Sequence, residues 1–214
     1  MAKDTRIPVV DWIKHYGRLN PEKPALIDLT TKSTFSFYSL DRRIDTLSNY
    51  LVANGVYKGD RVAFICFNSS IIIEIIFACW RIGAICLPIN YRLTASEVLY
   101  IVNDAGPKVV FVDQEFESIW HEVLKEFAQL KTVRFNSLLT ESEYEDIVRS
   151  YSLYENSNEN FFNEQCLLMY SSGTTGKPKG VIITHKMVHF GSVGALLLGV
   201  SHHDSVALAN MPMF

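Results

Sequence analysis

A chain of 214 residues with a formal net charge of −3 has room for one or two ordinary domains and carries no basic field that would suit nucleic acid. Hydrophobic residues make up 48% of it and charged residues 20%, a globular balance that supports a real core. The longest apolar stretch, Ile71 to Ile89, is broken by Glu74, Arg81, Gly83 and Pro88, so it does not read as a membrane span.

In chain order, the start Met1-Ala2-Lys3-Asp4-Thr5-Arg6 is polar and has no apolar segment behind it, unlike a signal peptide. Residues 25–29 and 34–37 read as strands. A helix follows, with Leu40, Ile44, Leu47 and Leu51 at helical spacing, and Gly55 ends it. Residues 61–67 form an apolar, strand-like run. Asn68 or Ser69 then caps an apolar helix that reaches Gly83, whose Ile71-to-Ile82 face belongs to a core. Residues 84–87 are the next strand. Thr94-Ala95-Ser96-Glu97 is a capping box, in which a hydroxyl and a carboxylate three residues on satisfy orphan N–H groups. The helix it opens stops at Gly106-Pro107, and residues 108–112 form another strand. Strands alternating with helices predict an α/β fold with a mostly parallel sheet flanked by helices.

The stretch 141–165 differs. It is acidic and Asn-rich, with Tyr144, Tyr151, Tyr154, Phe161 and Phe162 scattered through it. It predicts a short helix and then a polar linker, together an exposed connection. A helix from His185 to about Gly199 and a strand over 204–209 complete the elements, and no internal repeat is present.

The side chains outside any motif are plain. Cys66, Cys79, Cys86 and Cys166 include no CxxC pair, and three lie in strongly apolar runs. They read as buried thiols of a reducing compartment, which makes the cytoplasm the expected location. His185 and His189 share a helix face but lack a third ligand, so no metal site is expected. Asp28, Asp41 and Asp45 read as solvated faces, and His202-His203-Asp204 as a solvated turn.

Residues 170–180, Tyr-Ser-Ser-Gly-Thr-Thr-Gly-Lys-Pro-Lys-Gly, carry the chemistry. Glycines let the backbone approach a ligand, hydroxyls and free N–H groups donate to phosphate oxygens, and lysines add positive charge. The Walker pattern fails. Its first glycine position holds Ser171, and Pro178 stands where a metal-binding hydroxyl belongs. Pro178 also opposes helix at Lys177, and the β-branched run Val181-Ile182-Ile183-Thr184 follows. The segment is therefore a strand–loop–strand phosphate binder.

Ser171-Ser172-Gly173-Thr174-Thr175-Gly176-Lys177-Pro178-Lys179-Gly180 resembles the signature loop of the AMP-forming adenylating enzymes, which include acyl-CoA synthetases, firefly luciferases and peptide-synthetase adenylation domains. Phe37-Tyr38-Ser39-Leu40, Gly59-Asp60-Arg61-Val62-Ala63, Trp80-Arg81-Ile82-Gly83-Ala84-Ile85-Cys86-Leu87-Pro88-Ile89-Asn90 and Asn103-Asp104-Ala105-Gly106-Pro107-Lys108-Val109-Val110 resemble further family segments in matching order. Pro88-Ile89-Asn90-Tyr91-Arg92-Leu93 is similar to the acid–CoA ligase branch.

The resemblance implies ATP-dependent activation of a carboxylic acid, expected to be a fatty or related acid, to an acyl-adenylate. Coenzyme A then forms the thioester, and Mg²⁺ accompanies ATP. Ser171, Ser172, Gly173, Thr174, Thr175 and Lys179 are implied contacts to the ATP phosphates. Gly176 and Gly180 are implied to shape the backbone, and Lys177 stands at the variable position of the loop. The family's Tyr-Gly-x-Thr-Glu segment, ribose-binding Asp, hinge and late lysine are not in this sequence. The expectation is the N-terminal portion of the large adenylating domain, spanning 1–214 and truncated. The main catalytic residues then lie beyond Phe214, and the chain alone is expected to be inactive or nearly so. Two alternatives stay open: a non-catalytic nucleotide-binding fragment, and an adenylating domain that loads a carrier protein.

Overall fold

The computed structural model describes residues 6–150, 153–155, 159–171, 178–199 and 205–214. Helix α1 (Trp12–Leu19) precedes a hairpin of β1 (Pro24–Asp28) and β2 (Ser33–Ser36), which leads into α2 (Phe37–Ala53). Then come β3 (Arg61–Ile65), α3 (Ser70–Ile82), β4 (Ile85–Pro88), α4 (Ala95–Ala105), β5 (Val109–Asp113), a short 3-10 turn, α5 (Glu117–Leu124) and β6 (Lys131–Phe135). Helix α6 (Glu143–Arg149), β7 (Gln165–Ser171), β8 (Lys179–Thr184) and α7 (His185–Leu197) follow.

Among the described residues the main sheet runs β6-β5-β3-β4-β7-β8. Every neighbouring pair is parallel except the last, where β8 folds back antiparallel on β7. Successive strand residues point to opposite faces, and at β3, β4 and β5 both faces are buried, so these strands read as continuous apolar runs, whereas β8 at the edge is largely exposed. Val62, Phe64, Val109 and Phe111 pack with Ile44 and Leu47 of α2 and Ile72 and Ile75 of α3. Ala63, Ile65, Val110 and Val112 pack on the other face with Val98, Ile101 and Val102 of α4 and Trp120 of α5. This is the helix-flanked, mostly parallel sheet that the alternating pattern predicts.

Local signals place the helix ends. Thr94 and Glu97 make the complete capping box at α4. Gly83 ends α3 at φ 73°, and a Cβ there would stand 2.8 Å from both Asn160 Oδ1 and Lys58 Cγ, so this turn needs glycine twice over. Ser69 is the N-cap of α3, but its side chain makes no cap bond. Asp28 reaches across from β1 instead and accepts the Ser70 N–H at 3.0 Å.

Four readings differ from the structure. Asp28 and Asp45 are buried, not solvated, because each has a partner that compensates for lost water. Asp28 accepts three backbone N–H groups, and Asp45 meets the Arg81 guanidinium at 2.7 Å. Within 141–165 the short helix is present as α6, but Tyr144 and Val148 are fully buried, where the sequence suggests an exposed connection. The Tyr144 hydroxyl donates to Glu74 Oε2 at 2.6 Å, and Arg43 Nε donates to Glu74 Oε1 at 2.7 Å, so a carboxylate in the core of α3 is satisfied from two sides. Residues 205–209 form no strand, and Val206 and Leu208 are exposed; residue 204 lies outside the described residues. Helices α1 and α5 and strand β6 have no counterpart in the sequence reading.

Candidate functional site

The loop at 171–180 joins β7 to β8, a strand–loop–strand connection as its β-branched flanks require. Because β7 runs parallel to β4, its Ser171 end lies at the carboxyl edge of the sheet, where open α/β sheets hold ligands. In the antiparallel register Ser171 faces Lys179 and Tyr170 faces Gly180. A hydroxyl and an ammonium thus stand opposite each other at the mouth of the hairpin. Of the residues implied by the resemblance, Ser171, Lys179 and Gly180 are placed here. Ser172, Gly173, Thr174, Thr175 and Gly176 lie outside the described residues, as does Lys177.

Gly180 permits a close approach. A Cβ on it would come within 3.0 Å of Leu168 Cδ1 and 3.4 Å of Tyr170 Cζ. The space it leaves is filled by the Tyr170 ring, whose hydroxyl donates to the Asp104 carboxylate in the last turn of α4. Burial and this partner push the Tyr170 phenol well above its ordinary value. Tyr170 and Asp104 both lie in segments that the sequence analysis quotes, but no role follows for either from the sequence, and nothing in it pairs them.

The base of the hairpin is held from below. Trp80 Nε1 donates to the Cys166 carbonyl at 3.1 Å, and the Cys166 thiol donates to the Ile183 carbonyl at 3.5 Å. Burial pushes that thiol up to about 12, so it stays protonated and acts as packing. His185 opens α7 against the Trp80 ring, with centroids 5.3 Å apart. Burial pushes its imidazole down to about 4, so it is neutral at physiological pH. His189 packs instead against Phe162, and among the described residues no three His, Cys, Asp or Glu side chains gather as a metal site. All four cysteines are buried as free thiols. An open cleft of about 580 Å³ lies between α1, α3 and α7, lined by Trp12, Phe77, Trp80, His185 and His189. It is on the flank of the sheet, away from the hairpin mouth. No helix among the described residues is long and apolar enough to cross a membrane.

Among the described residues the mouth offers the Ser171 hydroxyl and the Lys179 ammonium at a strand edge, and the sequence between them adds hydroxyl residues, glycines and a lysine with no carboxylate. Such a set suits a polyphosphate.

Comparison with known proteins gives the family. The family model described as AMP-binding enzyme matches residues 13–214. A 2-succinylbenzoate–CoA ligase of a Geobacillus species is 34% identical over 211 residues, covering 98% of this chain and 39% of that protein. A long-chain-fatty-acid–CoA ligase of Mycobacterium tuberculosis is 29% identical over 207 residues, covering 96% of this chain and 41% of that protein. The solved O-succinylbenzoate coenzyme A synthetase of Bacillus subtilis, in complex with AMP, superposes with a TM-score of 0.72 at 27% identity, over 92% of this chain and 48% of that one. The chain spans less than half the length of each of these relatives. With its signature loop, its parallel sheet and a match over nearly all its residues, the chain belongs to the AMP-binding enzymes, the adenylate-forming superfamily of the acid–CoA ligases.

Proposed function

We propose that this chain supplies the ATP-phosphate grip of an AMP-forming acid–CoA ligase. The observation that carries the reading is the placement of the signature loop. It joins β7 to β8 at the carboxyl edge of the sheet, with Ser171 and Lys179 in register across its mouth. In the first half-reaction a carboxylate oxygen attacks the α-phosphorus of ATP, the bond to the bridging oxygen breaks, and pyrophosphate leaves. In the second, the coenzyme A sulfur attacks the acyl carbon, and AMP leaves with the thioester formed.

Two anions meet in the first step, so its barrier is lowered mainly by positioning and by donors aimed at phosphate oxygens. Ser171, Ser172, Thr174 and Thr175 would donate hydroxyls, and Gly173 would let its N–H approach. Lys179 would neutralise charge on the β- and γ-phosphates, and Gly176 and Gly180 would keep the backbone shape. Mg²⁺ would enter with the nucleotide as part of the substrate and would supply positive charge to its phosphates. A fatty or related acid is the favoured substrate, because Pro88-Ile89-Asn90-Tyr91-Arg92-Leu93 resembles the acid–CoA ligases and a named relative acts on long-chain fatty acids. A cytoplasmic setting fits, with four cysteines held as buried thiols.

The test uses the complete protein. Acid-dependent pyrophosphate release is measured across fatty acids from octanoate to palmitate and a set of aromatic acids, in wild type, Thr174→Ala and Lys179→Ala. Each substitution removes a donor to a charged group and is expected to lower the rate at least about 10-fold. Unchanged release in both variants would refute the assignment. The 214-residue chain by itself is expected to form no acyl-adenylate, and robust formation by it would overturn that part.

A further inference from the structure

We propose that Tyr170 and Asp104 form a strut that positions the phosphate hairpin, a positioning pair for the adenylation step; this rests on the functional reading above. Tyr170 is the residue before Ser171, and its hydroxyl donates to a carboxylate 66 residues earlier in the chain. Its ring lies in the apolar layer between the sheet and α4. It reaches Asp104 by passing under Gly180, its direct partner in register, where a Cβ would stand 3.4 Å from Cζ and 3.5 Å from the hydroxyl oxygen. The family motif thus contains, in Gly180, the gap through which the strut runs.

The hairpin has need of such a support. β7 pairs with β4 through the single registered pair Cys86–Leu167, and β4 ends at Pro88, which has no N–H to donate. β8 has no neighbour on its outer side among the described residues. Lateral support near the mouth therefore falls to side chains. The far end of the strut is itself anchored. Arg61, the first residue of β3, donates from Nε to the Ala105 carbonyl at 2.6 Å and from Nη2 to the Gly106 carbonyl at 3.0 Å. The connection runs from the central strand through the end of α4 to the residue that begins the loop.

Helix stability does not account for Asp104. A carboxylate in the last turn faces the negative end of the helix dipole, where a cation is favoured. It is exposed, so its contact with Tyr170 is not forced by burial. A hydroxyl-to-carboxylate bond is short and strong, and phosphate donors tolerate only about 0.5 Å of misplacement. A strut at the root of the loop is a direct means of setting their height.

The experiment uses the complete enzyme and four variants: Tyr170→Phe, Asp104→Ala, Asp104→Asn and the Tyr170→Phe/Asp104→Ala double. Acid-dependent ATP–pyrophosphate exchange gives KM for ATP, KM for the acid and kcat. Amide hydrogen exchange is read at Ser171, Lys179 and Gly180, and melting temperature is recorded. Tyr170→Phe keeps the ring and removes one bond to a charged group, so KM for ATP should rise about 10-fold, with KM for the acid unchanged. Asp104→Ala should match it, the double variant should be no worse than either single one, and Asp104→Asn, which keeps an acceptor, should recover part of the loss. The three amides should exchange faster in Tyr170→Phe. Unchanged KM for ATP, additive losses, or a loss that follows the melting temperature alone would each sink the strut. If wild type exchanges pyrophosphate with no acid, the functional reading has failed instead. The hydrogen-exchange comparison then decides the strut, and equal rates in wild type and Tyr170→Phe overturn it.

Discussion

Asp28, the last residue of β1, accepts the backbone N–H of Ser70 through Oδ2 at 3.0 Å and so caps α3 from another element. Its Oδ1 accepts Thr30 and Thr31 N–H at 2.9 and 3.1 Å. Burial pushes the carboxyl up, but these N–H groups together outweigh it and hold the pKa below the usual 3.8. Asp28→Ala should cost about 1–2 kcal/mol in urea unfolding, the range for loss of an N-cap. A depressed carboxylate stabilises the fold above its unfolded pKa, and the contribution disappears as pH falls through the lower folded value. Asp28→Asn should therefore flatten the acid limb of stability below about pH 4. An unaltered acid limb would show that the cap is supplied elsewhere.

Arg81 is bound on three sides, with Nε 2.7 Å from Asp11 Oδ2, Nη1 2.7 Å from Asp45 Oδ1, and Nη2 on Asp41. It fastens the C-terminal turn of α3 to α2 and to the N-cap of α1. Removing one member of a buried ionic cluster leaves the others uncompensated, at about 3–5 kcal/mol. Arg81→Ala should therefore be among the most destabilising single changes outside the apolar core. Asp11 is partly exposed, so Asp11→Ala should cost about 1 kcal/mol or less beyond its cap. Equilibrium unfolding of both variants checks this, and equal losses would mean that the pairs do not act by burial.

These two networks show where sequence reading stops. The apolar periodicity of Leu40, Ile44, Leu47 and Leu51 reports which face is buried, and the structure buries all four. The capping box at Thr94 and the glycine stop at Gly83 are local grammar and were legible for that reason. A buried carboxylate has no local sign. Asp28, Asp45 and Glu74 look like surface residues until the partner 42, 36 or 31 positions away is known. Tyr144 likewise belongs to the core because Glu74 needs a donor, which no pattern within 141–165 records. α1 and β6 are short and each buries only two residues, so neither offers a run long enough for its period to fix the type of element. At the site, the signature loop was legible because its composition is itself the chemistry. The Tyr170–Asp104 contact was not, since it joins residues 66 apart.

His185 gives the fold a titration in the mildly acidic range. Its side chain is 5% exposed, packed on the Trp80 ring, while its backbone N–H donates to the Glu164 carbonyl at 3.1 Å. Burial lowers the imidazole pKa from 6.5 to about 4; the Glu164 carboxylate opposes that shift and Lys58 adds to it. In the unfolded chain the ring takes up a proton near 6.5, while in the folded state it refuses one until about 4. Between these values the unfolded state binds more protons, so stability falls as pH drops, by at most about 1.4 kcal/mol per pH unit for one site. Above 6.5 both states are neutral at this residue, and the effect is absent. His185→Gln keeps a polar side chain of similar reach without the titration. Urea unfolding of wild type and His185→Gln from pH 7.5 to 4.5 should show the wild type losing its advantage progressively below about pH 6.5. Parallel curves across that range would mean that the folded imidazole accepts a proton at its ordinary pKa, and would refute the burial effect.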